Sequence, residues 1–208
     1  MTTICIAGAT GWTGRALVDG VLAVDDLELR SAVARATAGQ DLGTALGREQ
    51  LGVPIHGDVG GALEGVDVLI DYTSHEAVKA NTLAAIENGV SVVIGTSGLT
   101  AADFEEIGAA ERLAGVRAPV ETQPPDAVAG PREARGATVA GTQVHSLRLP
   151  SFVVSTEIVF GLPDERLSIR HDAGGSATPY VAGTLLAARA VAGRTGLTRG
   201  LDTLLVEG

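Results

Sequence analysis

Lysine occurs once in the 208 residues, at Lys79, and cysteine once, at Cys5, while aromatic residues make up only 3% of the chain. A single cysteine excludes an intrachain disulfide framework and any cysteine-based metal site. Its position inside the apolar run Ile4-Cys5-Ile6 reads as a small buried hydrophobe. With so few aromatic rings, the core must be built from Val, Leu, Ile and Ala. Basic residues are outnumbered as well: 15 Lys and Arg against 25 Asp and Glu leave a net charge of -10. That balance argues against nucleic acid or an anionic membrane as partner, so an anionic ligand has to be held locally. No apolar run approaches the length of a membrane span and no signal-peptide pattern opens the chain, so the cytoplasm is the expected location. His56 has no second ligand at metal spacing, and no metal site is predicted.

Glycine, by contrast, is abundant, with 28 residues. Three of them, Gly8, Gly11 and Gly14, follow the apolar run at intervals of three, and Ala16, Leu17, Val18, Val21 and Leu22 then continue at helical spacing. The pattern is strand, tight turn, helix. Glycines there let the chain bend sharply and let a pyrophosphate approach the N–H groups at the start of the helix, where the dipole favours negative charge. A dinucleotide site is therefore expected; the alternative is a strand-to-helix turn that binds nothing.

The order of the following elements supports the first reading. Leu27 to Ala34 reads as a second strand ending at Arg35. An acidic residue there would favour the ribose hydroxyls of NADH, whereas an arginine accommodates a 2′-phosphate. Arg35 thus predicts NADPH ahead of NADH, the alternative being a solvated surface arginine. Residues 36 to 63 read as loop with one short strand, with His56 in a glycine-flanked turn. Val66 to Tyr72 is a buried strand, and Thr73 to Glu76 has capping-box spacing, with Thr73 as the expected cap of the next helix. Val90 to Ile94 is a further strand running into Gly95-Thr96-Ser97-Gly98, and a helix follows Thr100 with Asp103 at the capping-box position. This β-α-β-α-β order implies parallel strands with right-handed crossovers. The Gly8 turn, Asp71-Tyr72-Thr73 and Gly95-Thr96-Ser97-Gly98 fall at strand ends and outline one crevice.

Texture changes near residue 119. Residues 120–136 are rich in Pro, Gly and charge and read as a linker. Residues 137–176 turn to period two, with alternation through Phe152, Val154, Thr156, Ile158 and Phe160 and a further strand over Leu167 to Arg170. Such long antiparallel strands need more partners than one short chain supplies, so sheet pairing between subunits is expected. Residues 177–208, led by an Ala/Leu-rich helix from Tyr180 to Ala192, return to the first domain, which spans 1–119. The expected fold is α/β: a Rossmann-like parallel sheet with helices on both faces, plus a small, partly deleted α+β domain.

Three blocks carry a family resemblance: Ile6 to Arg15; Asp67 to Thr73 continuing through Val93 to Gly98; and Val144 to Pro150 continuing through Ile169 to Asp172. The sequence resembles 4-hydroxy-tetrahydrodipicolinate (dihydrodipicolinate) reductases of the diaminopimelate route to lysine. The resemblance implies an NADPH- or NADH-dependent reductase of a cyclic dicarboxylate, tetrameric through the smaller domain's sheet. It assigns Gly8, Gly11, Trp12 and Thr13 to the pyrophosphate, Arg35 to the 2′-phosphate, and Gly95, Thr96 and Ser97 to the nicotinamide side. Tyr180 matches an aromatic position near the cofactor, although the arginine usual three residues earlier is Ala177.

The substrate half departs from the family. Its His-His-x-x-Lys stretch and the following Asp-Ala-Pro-Ser-Gly-Thr-Ala are absent, as is its Asn-Phe-Ser hinge, and Lys79 lies in a nucleotide-domain helix. Pro125-Asp126-Ala127 is only a faint match, so several tens of residues are missing between Pro119 and Pro125 relative to the family. No catalytic residue is carried over. Arg132, Arg135, Arg148, Arg166 and Arg170 are the cations available to substrate carboxylates, and His145 and His171 are candidate acids by type alone. Two other classes stay open: a non-catalytic NADPH-binding or assembly protein, and an atypical short-chain dehydrogenase. The latter lacks its Tyr-x-x-x-Lys pair, since neither Tyr72 nor Tyr180 has a Lys four residues on.

Overall fold

Alternation within two short apolar strands sets the architecture. In β1 (Thr2–Ala7), Ile4 and Ile6 point to one face and Cys5 and Ala7 to the other, and all four are fully buried. In β4 (Val68–Asp71), Val68 and Ile70 share the first face and Leu69 the second. A strand buried on both faces needs helices on both, which defines a doubly wound sheet. The computed structural model describes residues 1–97, 99–110, 137–139, 142–145 and 154–206.

The sheet is parallel, in the order β3-β2-β1-β4-β5, with β2 at Leu27–Val33, β3 at Ile55–His56 and β5 at Ser91–Ile94. Over its first face lie α1 (Trp12–Leu22) and α5 (Thr178–Val191). Gly14, Leu17, Val18 and Val21 are the buried residues of α1, at the spacing of one helical face. A Cβ on Gly20 would sit 2.4 Å from Cγ1 of Val181, so this glycine is the notch into which α5 packs. Over the second face, Leu69 packs with Leu63, Val66 and Ala85, the last from α3 (Val78–Glu87).

Residues 36 to 63 are more ordered than a loop with one strand. They hold a helical turn, α2 (Leu42–Ala45), capped by Asp41, whose carboxylate also accepts the N–H groups of Leu51 and Val53. That side chain fastens a segment with little apolar periodicity. His56 belongs to β3 and pairs with Val33, instead of lying in a turn. Helix α4 (Ala101–Ala110) opens with the anticipated box: Asp103 N–H donates to Thr100 Oγ1 at 3.2 Å, and Thr100 N–H to Asp103 Oδ2 at 2.8 Å. A short helix, α6 (Asp202–Val206), ends the described chain.

The chain divides into two units, Met1–Leu113 with Ala177–Gly208, and Ala114–Ser176. The linker expected at 120–136 lies outside the described residues. Within the second unit, β6 (Ala137–Val139) and β7 (Thr142–Val144) form one antiparallel pair. The strands β8 (Val154–Leu162) and β9 (Glu165–Ala173), nine residues each, form a hairpin around Pro163-Asp164, with Asp164 at φ 62°.

Candidate functional site

The turn between β1 and α1 is shaped by what its glycines leave out. Gly8 has φ +84°, and a Cβ there would lie 2.5 Å from the carbonyl oxygen of Tyr72, at the end of the neighbouring strand. A Cβ on Gly14 would lie 2.0 Å from the Gly8 carbonyl oxygen. The first admits the close approach of β1 to β4, and the second lets α1 start tight against the turn. Gly11 is the N-cap, with no side-chain hydrogen bond and no acidic residue in the first turn. The positive end of the helix dipole therefore has no resident carboxylate, which suits a phosphate.

This turn faces the topological switch between β1 and β4, where ligands bind in such sheets. A cleft of about 340 Å³ opens there, lined by Thr13, Tyr72, Thr73, Ser74, His75, Gly95, Thr96 and Ser97. Of the residues singled out in the sequence, Thr13, Thr73, Gly95, Thr96 and Ser97 line it together. Gly8 and Gly11 form the turn beneath it. Trp12 opens α1, half exposed, and meets Tyr180 of α5 edge to face at a centroid distance of 6.1 Å. Arg35 stands exposed at the head of a 3-10 turn after β2, and it makes no ion pair among the described residues.

Thr73 does not cap a helix. The N-cap of α3 is Ala77, with no side-chain bond, and the Thr73 hydroxyl and N–H both go to Oδ1 of Asp71, at 2.7 and 2.9 Å. A fully buried carboxylate outcompetes a helix end for the same hydroxyl, because a charged acceptor makes the stronger hydrogen bond. Asp71 also accepts from Thr96 Oγ1 at 2.9 Å and, on Oδ2, from Asn81 at 2.8 Å. The turn after β4, the turn after β5 and helix α3 thus converge on one side chain. The sequence signal for it was an aspartate at the buried end of Val66 to Tyr72, where the alternation calls for an apolar residue.

Tyr72 forms the wall. Its hydroxyl lies 2.8 Å from Thr184 Oγ1, and Thr184 donates to the Tyr180 carbonyl, also at 2.8 Å. The Tyr72 ring occupies the space a Cβ on Gly95 would need, 1.9 Å from its Cζ. Behind the ring, a second and more apolar cavity of about 380 Å³ lies between β5, α5 and α6.

Lys79 ties α3 to α4 through Glu106 at 2.7 Å and Asp103 at 3.0 Å. These partners raise its pKa, Glu106 foremost, so the one lysine is a helix clasp. In the second unit Arg166 and His171 are exposed on β9, and Arg170 is bound by Asp172 at 2.8 Å. His145, just after β7, is exposed as well. Arg132, Arg135 and Arg148 lie outside the described residues.

A doubly wound parallel sheet with a glycine turn and a cleft at its switch point is the architecture of nicotinamide-dependent oxidoreductases. Residues 2–119 match the family model for the N-terminus of dihydrodipicolinate reductase, and residues 70–205 match that for its C-terminus. The 4-hydroxy-tetrahydrodipicolinate reductase of Moorella thermoacetica is 31% identical over 263 aligned positions, covering 97% of each chain. That of Synechococcus elongatus is 29% identical, covering 97% of this chain and 98% of the relative. In fold, a dipicolinate-bound dihydrodipicolinate reductase from Paenisporosarcina sp. TG-14 superposes with a TM-score of 0.69 at 19% identity, over 98% of this chain and 99% of the other. The chain belongs to the dihydrodipicolinate reductase family, whose members carry out an NAD(P)H-dependent reduction in lysine biosynthesis.

Proposed function

We propose that the chain holds NADPH, with NADH as the weaker alternative, between the Gly8 to Gly14 turn and the turns after β4 and β5. The proposal extends to a substrate half shortened relative to the family, so that turnover of the cyclic dicarboxylate is weak or absent. The observation that carries the cofactor half is the cradle itself. Gly8 and Gly14 leave room that any Cβ would fill, at the uncapped start of α1, and the cleft opens directly above. Gly8, Gly11, Trp12 and Thr13 hold the pyrophosphate, and Arg35 pairs with the 2′-phosphate. Thr73, Gly95, Thr96 and Ser97 surround the nicotinamide, with Tyr180 beside it. The bound cofactor supplies a hydride.

The shortened half is supported by the absent His-His-x-x-Lys stretch and by an alignment of 263 positions against a chain of 208 residues. Without that stretch no positioned acid is identified to deliver the proton that accompanies hydride transfer, a contribution of about 10² to 10⁴ in rate where one exists. The reading as a non-catalytic NADPH-binding protein is the limiting form of the same proposal. The β8–β9 hairpin supports assembly through paired sheets, as a tetramer by resemblance. Ile158 lies opposite Ile169 and Phe160 opposite Leu167 on one face, with all four about half exposed. A two-stranded sheet of that kind is marginal without further partners. No described helix is long and apolar enough to cross a membrane, and the cytoplasm is the proposed location.

Trp12 is the only tryptophan, so titration with NADPH and NADH followed by its fluorescence tests the cofactor assignment. Saturable quenching, tighter for NADPH and weakened in Arg35→Ala, is expected. No response to either would overturn the cofactor assignment, and turnover at a rate typical of reductases, about 10 per second, would overturn the shortened substrate half.

A further inference from the structure

Asp71 does more than join two turns, because it fixes which way their hydroxyl groups can bond. A threonine hydroxyl has one hydrogen and two lone pairs. The hydrogen of Thr73 is donated to Oδ1 of Asp71 at 2.7 Å, and that of Thr96 to the same atom at 2.9 Å, with the Asp71 carbonyl also within 3.1 Å. Both threonines line the cleft. Toward a ligand they can therefore offer lone pairs only, and behind them sits a fully buried carboxylate. Asn81, which holds the other carboxylate oxygen at 2.8 Å and stands 3.4 Å from Thr73 Oγ1, spends its donor on the same network. An acceptor pair backed by a negative charge suits an N–H donor and disfavours an anion.

We propose that Asp71 is a positioning residue that makes the Thr73 and Thr96 end of the cleft an acceptor subsite for a neutral amide. Resting on the cofactor reading above, this assigns to that end the carboxamide –NH₂ of the nicotinamide ring. The pyrophosphate is thereby left to the α1 end of the cleft, where the dipole is positive. The two ends of one cleft then have opposite polarity, which fixes the direction in which a dinucleotide lies.

The test compares NADP⁺ with its nicotinic acid analogue, in which a carboxylate replaces the carboxamide and the rest of the molecule is unchanged. Each competes against NADPH in the Trp12 fluorescence titration at about pH 8. Wild type is expected to bind NADP⁺ at least about tenfold more tightly than the acid, as expected when an acceptor pair backed by a buried carboxylate meets an anion. In Asp71→Asn the ratio narrows severalfold toward one. Thr96→Val, isosteric but without the oxygen, also narrows it, and Thr96→Ser restores it. A variant that merely loosens the turns weakens both ligands together and leaves the ratio unchanged, so an unchanged ratio in both Asp71→Asn and Thr96→Val overturns the proposal. A wild-type ratio near one overturns it alone, whereas a wild type that binds no NADPH overturns the cofactor reading along with it.

Discussion

Gly8 and Gly39 separate two costs that usually arrive together. Both have positive φ, +84° and +82°, but a Cβ on Gly39 meets nothing within 4 Å, whereas on Gly8 it would lie 2.5 Å from the Tyr72 carbonyl oxygen and 2.9 Å from the carbonyl carbon. Alanine at Gly39 therefore adds backbone strain alone, about 1 kcal/mol. Alanine at Gly8 adds the same strain plus an overlap with main chain, which no rotamer change can relieve; forcing such volume into a packed site costs a further ~1–3 kcal/mol. The expected losses are about 1 kcal/mol for Gly39→Ala and about 3 kcal/mol for Gly8→Ala. In a chain of this size each kcal/mol lowers Tm by about 2–4 °C. Unfolding in urea, followed by Trp12 fluorescence so that only the nucleotide unit is read, gives both values. NADPH titration should then leave Gly39→Ala at wild-type affinity and abolish the response of Gly8→Ala. Equal destabilisation by the two substitutions would refute the close approach of the glycine turn to the end of β4.

Three further outcomes are expected. Because Thr184 donates its hydrogen to the Tyr180 carbonyl, the Tyr72 phenol is the donor in their 2.8 Å contact; Tyr72→Phe should cost about 1 kcal/mol, and an unchanged Tm would show the bond to be neutral. The Thr100 hydroxyl and N–H, with Lys79, hold the Asp103 carboxyl down at about 2 against an ordinary value of 3.8. A folded value below the unfolded one means stabilisation that is complete above the unfolded pKa and lost as pH falls through the folded one. The gap in urea midpoint between wild type and Asp103→Asn should stay flat above about pH 5 and close between about pH 4 and pH 2; a gap independent of pH would contradict the cap. Burial pushes the Cys5 thiol up to about 11, so at about pH 8 a disulfide reagent should label it only in denaturant, and rapid labelling in buffer would place Cys5 outside the core.

Where one signal dominated, the sequence was legible. The strands β1, β4 and β5 announce themselves as apolar runs bounded by glycine or hydroxyl residues, and the glycine spacing at Gly8 to Gly14 has a direct steric meaning in the structure. Thr100 and Asp103 form the box their spacing suggests, whereas Thr73 and Glu76, at the same spacing, do not. The difference lies in a competitor the local sequence does not display: Asp71 is two residues from Thr73 but reaches Thr96 and Asn81 only through the sheet and α3. Residues 36 to 63 hold more structure than their sequence suggests, for a related reason. Their order comes from one carboxylate, Asp41, collecting main-chain N–H groups ten and twelve residues away, and hydrophobic periodicity carries no trace of such a bond. Lys79 shows the reverse: it stands alone in the composition, yet its partners make it a strut between helices.

The discontinuity of the nucleotide unit bears on how the two halves of the molecule can change. Tyr72, the cleft's wall, is held from behind by Thr184 of α5, which follows the second unit in sequence, and α5 is seated on α1 at the Gly20 notch and tied to the start of β2 by Arg189 to Asp26 at 2.6 Å. The described residues of both core clusters come from Met1–Leu113 and Ala177–Gly208. In sequence, the second unit is an insertion between α4 and α5. The glycine cradle and the turns after β4 and β5 are drawn from the first unit alone, so under the proposed function a change of length in the insertion leaves the cofactor cradle's own residues in place. A protein built this way can part with substrate chemistry while its cofactor affinity stays under separate selection, so binding and turnover need separate measurements.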